Sequence, residues 1–295
     1  MNASHEPLRH LLTLDGLPAD VLTSLLIRAQ AFAEGHYDRR ALDGLAVCTL
    51  FFEPSTRTRS SFQIAAQRLG ADVINFDAST SSARKGETAL DTMKNLEAMG
   101  VRGFVIRHQH DGAVAALAQQ AADGTVLVNA GDGRTAHPTQ GLLDMLTLRQ
   151  AKGTDFSRLK VVVVGDVKHS RVARSDLQAL RTLGAGQIRV CGPAALLPDD
   201  GTLDGVDAVM MLRLQRERMD EGLIASLDDY HRDYGLTAAR LKRAADDAIV
   251  MHPCPINRGV EITDEVADGP QSVILRQVTN GVAVRMAVLE ALLKG

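Results

Sequence analysis

Residues 54–59 read Pro-Ser-Thr-Arg-Thr-Arg, between an apolar, β-type run and a helical period. Ser55, Thr56 and Thr58 bring three hydroxyls, and Arg57 brings a planar cation. At a helix N-terminus the first backbone N–H groups lack intrahelical acceptors, and the helix dipole favours negative charge. A guanidinium fork matches two phosphate oxygens at once. This is the chemistry of a site for a phosphate-bearing molecule. Capping the helix would need only one of the hydroxyls.

Six other stretches carry polar groups, most of them at places where strands should end. Arg107-His108 follows an apolar run. His137-Pro-Thr-Gln140 opens a helix, and both an imidazole and an amide can donate to a developing carbonyl oxygen. Arg171 stands at the start of a further helix, placed for a carboxylate. Met211-Leu-Arg213-Leu-Gln215-Arg-Glu-Arg218 holds more cations than a strand exit needs. Ser81-Ser-Ala-Arg-Lys85-Gly86-Glu87 reads either as a solvated basic loop or as a glycine-hinged lid over an anion. His252-Pro253-Cys254-Pro255 should form a rigid, extended turn that presents backbone inward, with Cys254 structural rather than nucleophilic.

These groups need a frame. Apolar, β-rich runs occur at 46–52, 72–76, 103–107 and 125–129, then again at 160–164, 187–191, 207–212 and 248–251. Helical periods fall between them, at 60–69, 88–99, 112–122, 139–150 and 172–183, and a last one covers 282–293. Strands alternating with helices predict parallel sheets covered on both faces. Two such sets predict an α/β fold of two doubly wound domains, with the polar segment 149–157 as the junction. In such sheets, sites form at the C-terminal ends of strands, where most of the stretches above lie.

Composition narrows the function. With 295 residues, 45% hydrophobic, the chain is long enough for one large α/β domain or two smaller ones, with a core of ordinary size. A net charge of −3, only 3% aromatics and no Trp argue against nucleic-acid binding. The three cysteines, Cys48, Cys191 and Cys254, form no disulfide or zinc-ribbon pattern, which suits a reducing cytoplasm. No run approaches the ~20 apolar residues of a membrane span, and no signal-peptide pattern is present. Gly165-Asp166 after the run at 160–164 lacks the G-x-G-x-x-G fingerprint of dinucleotide enzymes, so neither a nucleotide cofactor nor a metal is expected.

Ser55-Thr-Arg-Thr-Arg59, Lys85-Gly-Glu87, Arg107-His108, His137-Pro-Thr-Gln140 and His252-Pro-x-Pro255 together resemble the aspartate/ornithine carbamoyltransferase family. They stand in the family's order across nearly the whole chain. The element from Met211 to Arg218, and Asn257-Arg-Gly-Val-Glu-Ile262, are similar to the aspartate branch.

The resemblance implies one domain for carbamoyl phosphate, 1–149 with the C-terminal helix 281–295 crossing back to it. A second domain, 150–280, would serve L-aspartate. The product would be N-carbamoyl-L-aspartate, a step of pyrimidine synthesis. Ser55, Thr56, Arg57 and Thr58 would hold phosphate, and Arg107 phosphate and carbonyl. His137 would polarise the carbonyl, and Gln140 would bind the carbamoyl amine. Arg57, Thr58, Arg107 and His137 would be the catalytic groups.

Arg171, Arg213 and Gln215 would hold the carboxylates of aspartate, and Pro253 and Cys254 would offer backbone contacts. Ser81 and Lys85 would come from a neighbouring subunit, which implies a homotrimer. A regulatory chain or a dihydroorotase-like subunit is a further partner that the family allows. A basic acceptor such as ornithine would want an acidic group where Arg213 stands. A non-catalytic binding paralogue would be expected to lose the pocket cations, all of which are present.

Overall fold

The computed structural model describes residues 8–77, 86–193, 202–214 and 226–294. Ser81, Lys85 and Gln215 lie outside the described residues. The elements run α1 (Ala19–Ala33), β1 (Ala46–Phe51), α2 (Thr56–Arg68), β2 (Asp72–Asp77), α3 (Ala89–Ala98), β3 (Val101–His108), α4 (Ala113–Ala118), β4 (Val126–Asp132) and α5 (Pro138–Lys152). They continue with β5 (Lys160–Val164), α6 (Arg171–Thr182), β6 (Gln187–Cys191), β7 (Ala208–Met211), α7 (Leu227–Tyr234), α8 (Ala238–Leu241), β8 (Ile249–Met251), α9 (Asp264–Ala267) and α10 (Ile274–Lys294).

The chain divides into two compact units. The first runs to Thr139 and takes up the chain again from Asn280. The second is Gln140–Thr279. The end of α10 belongs to the first unit.

Each unit holds a four-stranded, wholly parallel sheet, ordered β2-β1-β3-β4 in the first and β6-β5-β7-β8 in the second. The near-continuous apolar runs are explained by burial on both faces. Val47, Cys48, Leu50 and Phe51 of β1, like Val161, Val162, Val163 and Val164 of β5, are buried. Cys48, Leu50, Phe104, Ile106 and Leu127 pack together in the first unit. Val162, Val164, Val209, Met211 and Val250 do so in the second. None of the three cysteines is in a disulfide, and burial pushes the thiol of Cys48 up to about 12. No helix among the described residues is long and apolar enough to cross a membrane.

All eight expected strands form. The helices differ at their ends, for physical reasons. α2 begins at Thr56, so Thr56-Arg-Thr58 lies in the first helical turn, with Ser55 at its N-cap, rather than in a lead-in. α10 begins at Ile274, eight residues before the apolar period at 282–293, because tertiary packing buries Gln277 and Asn280 and carries the helix through Gly281. α1 was not expected. Its buried stripe of Leu22, Leu25, Leu26, Ala29 and Phe32 is nonetheless a regular helical period, and could have been read.

Candidate active site

In a doubly wound sheet, two neighbouring strands whose crossovers leave in opposite directions open a crevice at their C-terminal ends. In the first unit that place lies between β1 and β3. Phe51 is in register with Arg107, and the N–H of Phe52 donates to the carbonyl of Arg107 at 2.9 Å. The turn after β1 therefore delivers Ser55–Thr58 beside Arg107.

Ser55 holds the N-cap position of α2 in an extended conformation, yet its hydroxyl makes no capping bond. The first backbone bond of the helix is from Arg59 N–H to Ser55 O at 3.1 Å. The N–H groups of Thr56, Arg57 and Thr58 therefore have no intrahelical acceptor. No acidic residue stands in that first turn. Arg57 is exposed, whereas Thr58 is buried. The second arginine behaves differently: the Arg59 guanidinium lies 5.2 Å from the centroid of the Phe51 ring, turned back onto the strand.

Arg107 is held from two sides. Its Nη1 donates to Ala130 O at 3.2 Å, and its Nη2 to Glu53 Oε1 at 2.7 Å. A cation fixed in this way needs little reorganisation when negative charge arrives. Glu53 was not singled out in the sequence. Its signal was a lone acid immediately before a cationic, hydroxyl-rich turn.

His137 follows β4, the other neighbour of β3, and is buried. The loop that carries it is stapled by Asp132, whose Oδ1 accepts from Asn129 Nδ2 at 2.8 Å and whose Oδ2 accepts from Gly112 N–H at 3.1 Å. Ser55–Thr58, Arg107 and His137 thus stand at or just beyond the ends of β1, β3 and β4.

The second unit repeats the arrangement between β5 and β7, where Val164 pairs with Met211. Gly165 sits at φ +130, and a Cβ there would lie 2.8 Å from Leu212 Cβ. Only glycine lets the two strand exits approach so closely. Arg171 is the first residue of α6, whose N-cap Ser170 accepts from Ala173 N–H. Arg213 stands two residues past β7, and both arginines are half-buried.

The turn after β8 departs from the expected extended form. Cys254 has φ 56, in the left-handed region, and the Cys254–Pro255 bond is cis. The local cause is a hydrogen bond from Cys254 N–H to His252 Nδ1 at 2.8 Å, which folds the chain back over two residues. An accepting Nδ1 places the ring proton on Nε2, which donates to Glu261 Oε1 at 3.1 Å. Both side chains are fully buried. Asn257 then ties the turn to the β7 exit through Nδ2 to Leu214 O at 2.9 Å, one residue from Arg213. Among the described residues no His, Cys, Asp and Glu side chains form a group able to hold a metal ion.

Residues 9–150 match the family model "Aspartate/ornithine carbamoyltransferase, carbamoyl-P binding domain", and residues 199–292 match the corresponding "Asp/Orn binding domain". The chain belongs to the aspartate/ornithine carbamoyltransferase family. Arg171 lies between the two matched stretches, and full-length relatives cover that region. The chain is 73% identical over 303 residues to an aspartate carbamoyltransferase catalytic subunit of Xanthomonas euvesicatoria pv. vesicatoria, with 97% of this chain and 96% of the relative covered. It is 72% identical over 304 residues to that of Stenotrophomonas maltophilia, with the same coverage.

Among solved carbamoyltransferase structures, it resembles aspartate transcarbamoylase from Trypanosoma cruzi in complex with carbamoyl phosphate and aspartate. That match has a TM-score of 0.83 and 29% identity, covering 97% of each chain. It also resembles ornithine carbamoyltransferase from Thermus thermophilus, with a TM-score of 0.86 and 28% identity over 98% of this chain and 100% of the other. The carbamoyltransferase fold is therefore common to both acceptor branches, and the choice between them rests on side chains.

Proposed function

We propose that this chain catalyses transfer of the carbamoyl group of carbamoyl phosphate to the amine of L-aspartate, giving N-carbamoyl-L-aspartate and phosphate. The observation that carries the choice of acceptor is the pair of cations in the second unit, Arg171 at the start of the helix that follows β5 and Arg213 just past β7, the neighbour of β5. Two guanidinium groups suit a dicarboxylate, whereas the amine of ornithine would meet repulsion there. The aspartate carbamoyltransferase name of the 73% identical relative supports the same choice.

Carbamoyl phosphate is taken by groups that follow β1, β3 and β4, as far as Gln140 on α5. Ser55, Thr56, Arg57 and Thr58 hold its phosphate with hydroxyls, the guanidinium and the open N–H groups of α2. Arg107 reaches phosphate and carbonyl, His137 donates to the carbonyl oxygen, and Gln140 takes the carbamoyl amine. Arg171 and Arg213, with Gln215, take the two carboxylates of aspartate, and the backbone of Pro253 and Cys254 lines the second unit's site.

The aspartate nitrogen attacks the carbamoyl carbon, and negative charge builds on the carbonyl oxygen. Fixed donors aimed at that charge lower the barrier. The C–N bond forms as the C–O bond to phosphate breaks. The nitrogen loses its proton, and the departing dianion is held by the cations around α2. Much of the remaining acceleration is positional. Ser81 and Lys85 complete the site from a neighbouring subunit of a cytoplasmic homotrimer, and the catalytic-subunit name of the relatives suggests a partner chain.

The test is product analysis with purified protein and carbamoyl phosphate, offering L-aspartate or L-ornithine. Carbamoyl-aspartate is expected. Citrulline would move the chain to the other branch and overturn the role of Arg213.

A further inference from the structure

A glutamine side chain has a donor end and an acceptor end, and a site that recognises an NH2 group must present the acceptor. Gln140 Nε2 lies 3.1 Å from both carboxylate oxygens of Asp144, one turn further along α5. Both side chains are buried. An ionised carboxylate only accepts, so the amide NH2 of Gln140 faces Asp144 and Oε1 points the other way. A second donor confirms the acceptor character of Asp144: Gln277 Nε2 reaches its Oδ1 at 2.6 Å. Gln277 Oε1 in turn accepts the N–H of His252 at 2.9 Å, where the turn after β8 begins.

Asp176 of α6 stands against Asp144, 1% exposed, and neither of its oxygens reaches an N–H or hydroxyl donor among the described residues. Two buried carboxyl groups in contact do not both ionise. Burial first, and the neighbouring charge of Asp144 second, hold the Asp176 carboxyl well above the ordinary aspartate range. The proton therefore resides on Asp176. It can be donated to Asp144, which also accepts from the two amides.

We propose that the Asp144–Asp176 pair is a positioning device that locks Gln140 with its oxygen towards the substrate, and so selects an acyl phosphate bearing NH2 over one bearing CH3. This rests on the reading that Gln140 binds the carbamoyl amine. With the amide reversed, its NH2 would oppose the substrate's own NH2, donor against donor. With the amide locked, the oxygen accepts from the carbamoyl N–H, and a methyl group leaves that buried oxygen unpaired. Recognition of this kind discriminates strongly because the unpaired partner carries the cost.

The experiment compares kcat and KM for carbamoyl phosphate and acetyl phosphate, with L-aspartate as acceptor, in wild-type protein, Asp144→Asn and Asp176→Asn. Asp144→Asn allows the Gln140 amide to turn. Its kcat/KM ratio for carbamoyl over acetyl phosphate is expected to fall by at least about tenfold. Asp176→Asn supplies an N–H donor in place of the carboxylic proton and is expected to keep the ratio within about threefold. An unchanged ratio in Asp144→Asn, or an equal collapse in both variants, overturns the proposal.

A readout on wild-type protein covers the case in which Asp144→Asn does not fold. The side-chain NH2 signals of Gln140, assigned by their loss in Gln140→Met, should exchange slowly with solvent, and fast exchange overturns the lock. Wild-type protein inactive with carbamoyl phosphate and aspartate would remove the activity on which the proposal stands, and the proposal with it.

Discussion

Arg107 Nη2 donates to Glu53 Oε1 at 2.7 Å, joining the ends of two adjacent parallel strands whose residues are 54 positions apart in the chain. The Arg107 side chain is only 11% exposed, so its direction is set by Glu53 on one side and Ala130 O on the other.

Glu53→Gln keeps the shape and removes the charge. The variant should fold normally and lose about 10- to 100-fold in kcat/KM for carbamoyl phosphate, the worth of a charge-assisted hydrogen bond of about 1.5–3 kcal/mol. Steady-state kinetics check this. Wild-type kinetics in the variant would mean that Arg107 is positioned without Glu53.

The two arginines flanking Thr58 should separate cleanly. Arg57→Ala removes an exposed cation from the first turn of α2, and kcat should fall by about 10²- to 10³-fold with little change in melting temperature. Arg59→Ala removes the contact with the Phe51 ring, so it should lower the melting temperature and spare most turnover. The reverse pattern would exchange their roles.

For Arg213→Ala the expected loss falls on one substrate. The KM for aspartate should rise by at least about tenfold, as expected when a charge-assisted hydrogen bond to a carboxylate is lost. The affinity for carbamoyl phosphate should stay near normal. A defect confined to carbamoyl phosphate would contradict the assignment of the second unit to the acceptor.

The protonation of Asp176 has a thermodynamic consequence. Its ordinary value is 3.8, and burial with the Asp144 charge raises it in the native state. Between those two values the native protein holds a proton that the unfolded chain releases, so stability falls as pH rises through that window. Asp176→Asn removes this dependence. The melting temperature of the variant minus that of wild type should therefore grow as pH rises through that window. A difference independent of pH would show that Asp176 is ionised in the native protein.

Much of this molecule could be read along the chain. The apolar runs that became β1 to β8 are local features of composition, and so is the position of Ser55–Thr58, Arg107, Arg171 and Arg213 just at or beyond strand ends. Chemistry of the side chains follows from their type: hydroxyls and guanidinium groups at a helix start attract phosphate whatever the rest of the fold does. The helix over 19–33 is equally local, since its buried stripe repeats with a helical period. Residues 274–281 gave no such signal, since Leu275 is 82% exposed and the helix there is held by burial of Gln277 and Asn280.

The partners of those side chains were not legible. Glu53 meets Arg107 because β1 and β3 are neighbours although β2 lies between them in sequence. Gln277 meets Asp144 across 133 positions, and His252 meets Glu261 in a fully buried pair. Strand order, and with it every contact between strand ends, is chosen by how whole helices and sheets bury apolar surface. That is a property of the assembled chain. Charge state follows the same rule, because Asp144 and Asp176 are identical residues until burial places them in contact and leaves one proton between them.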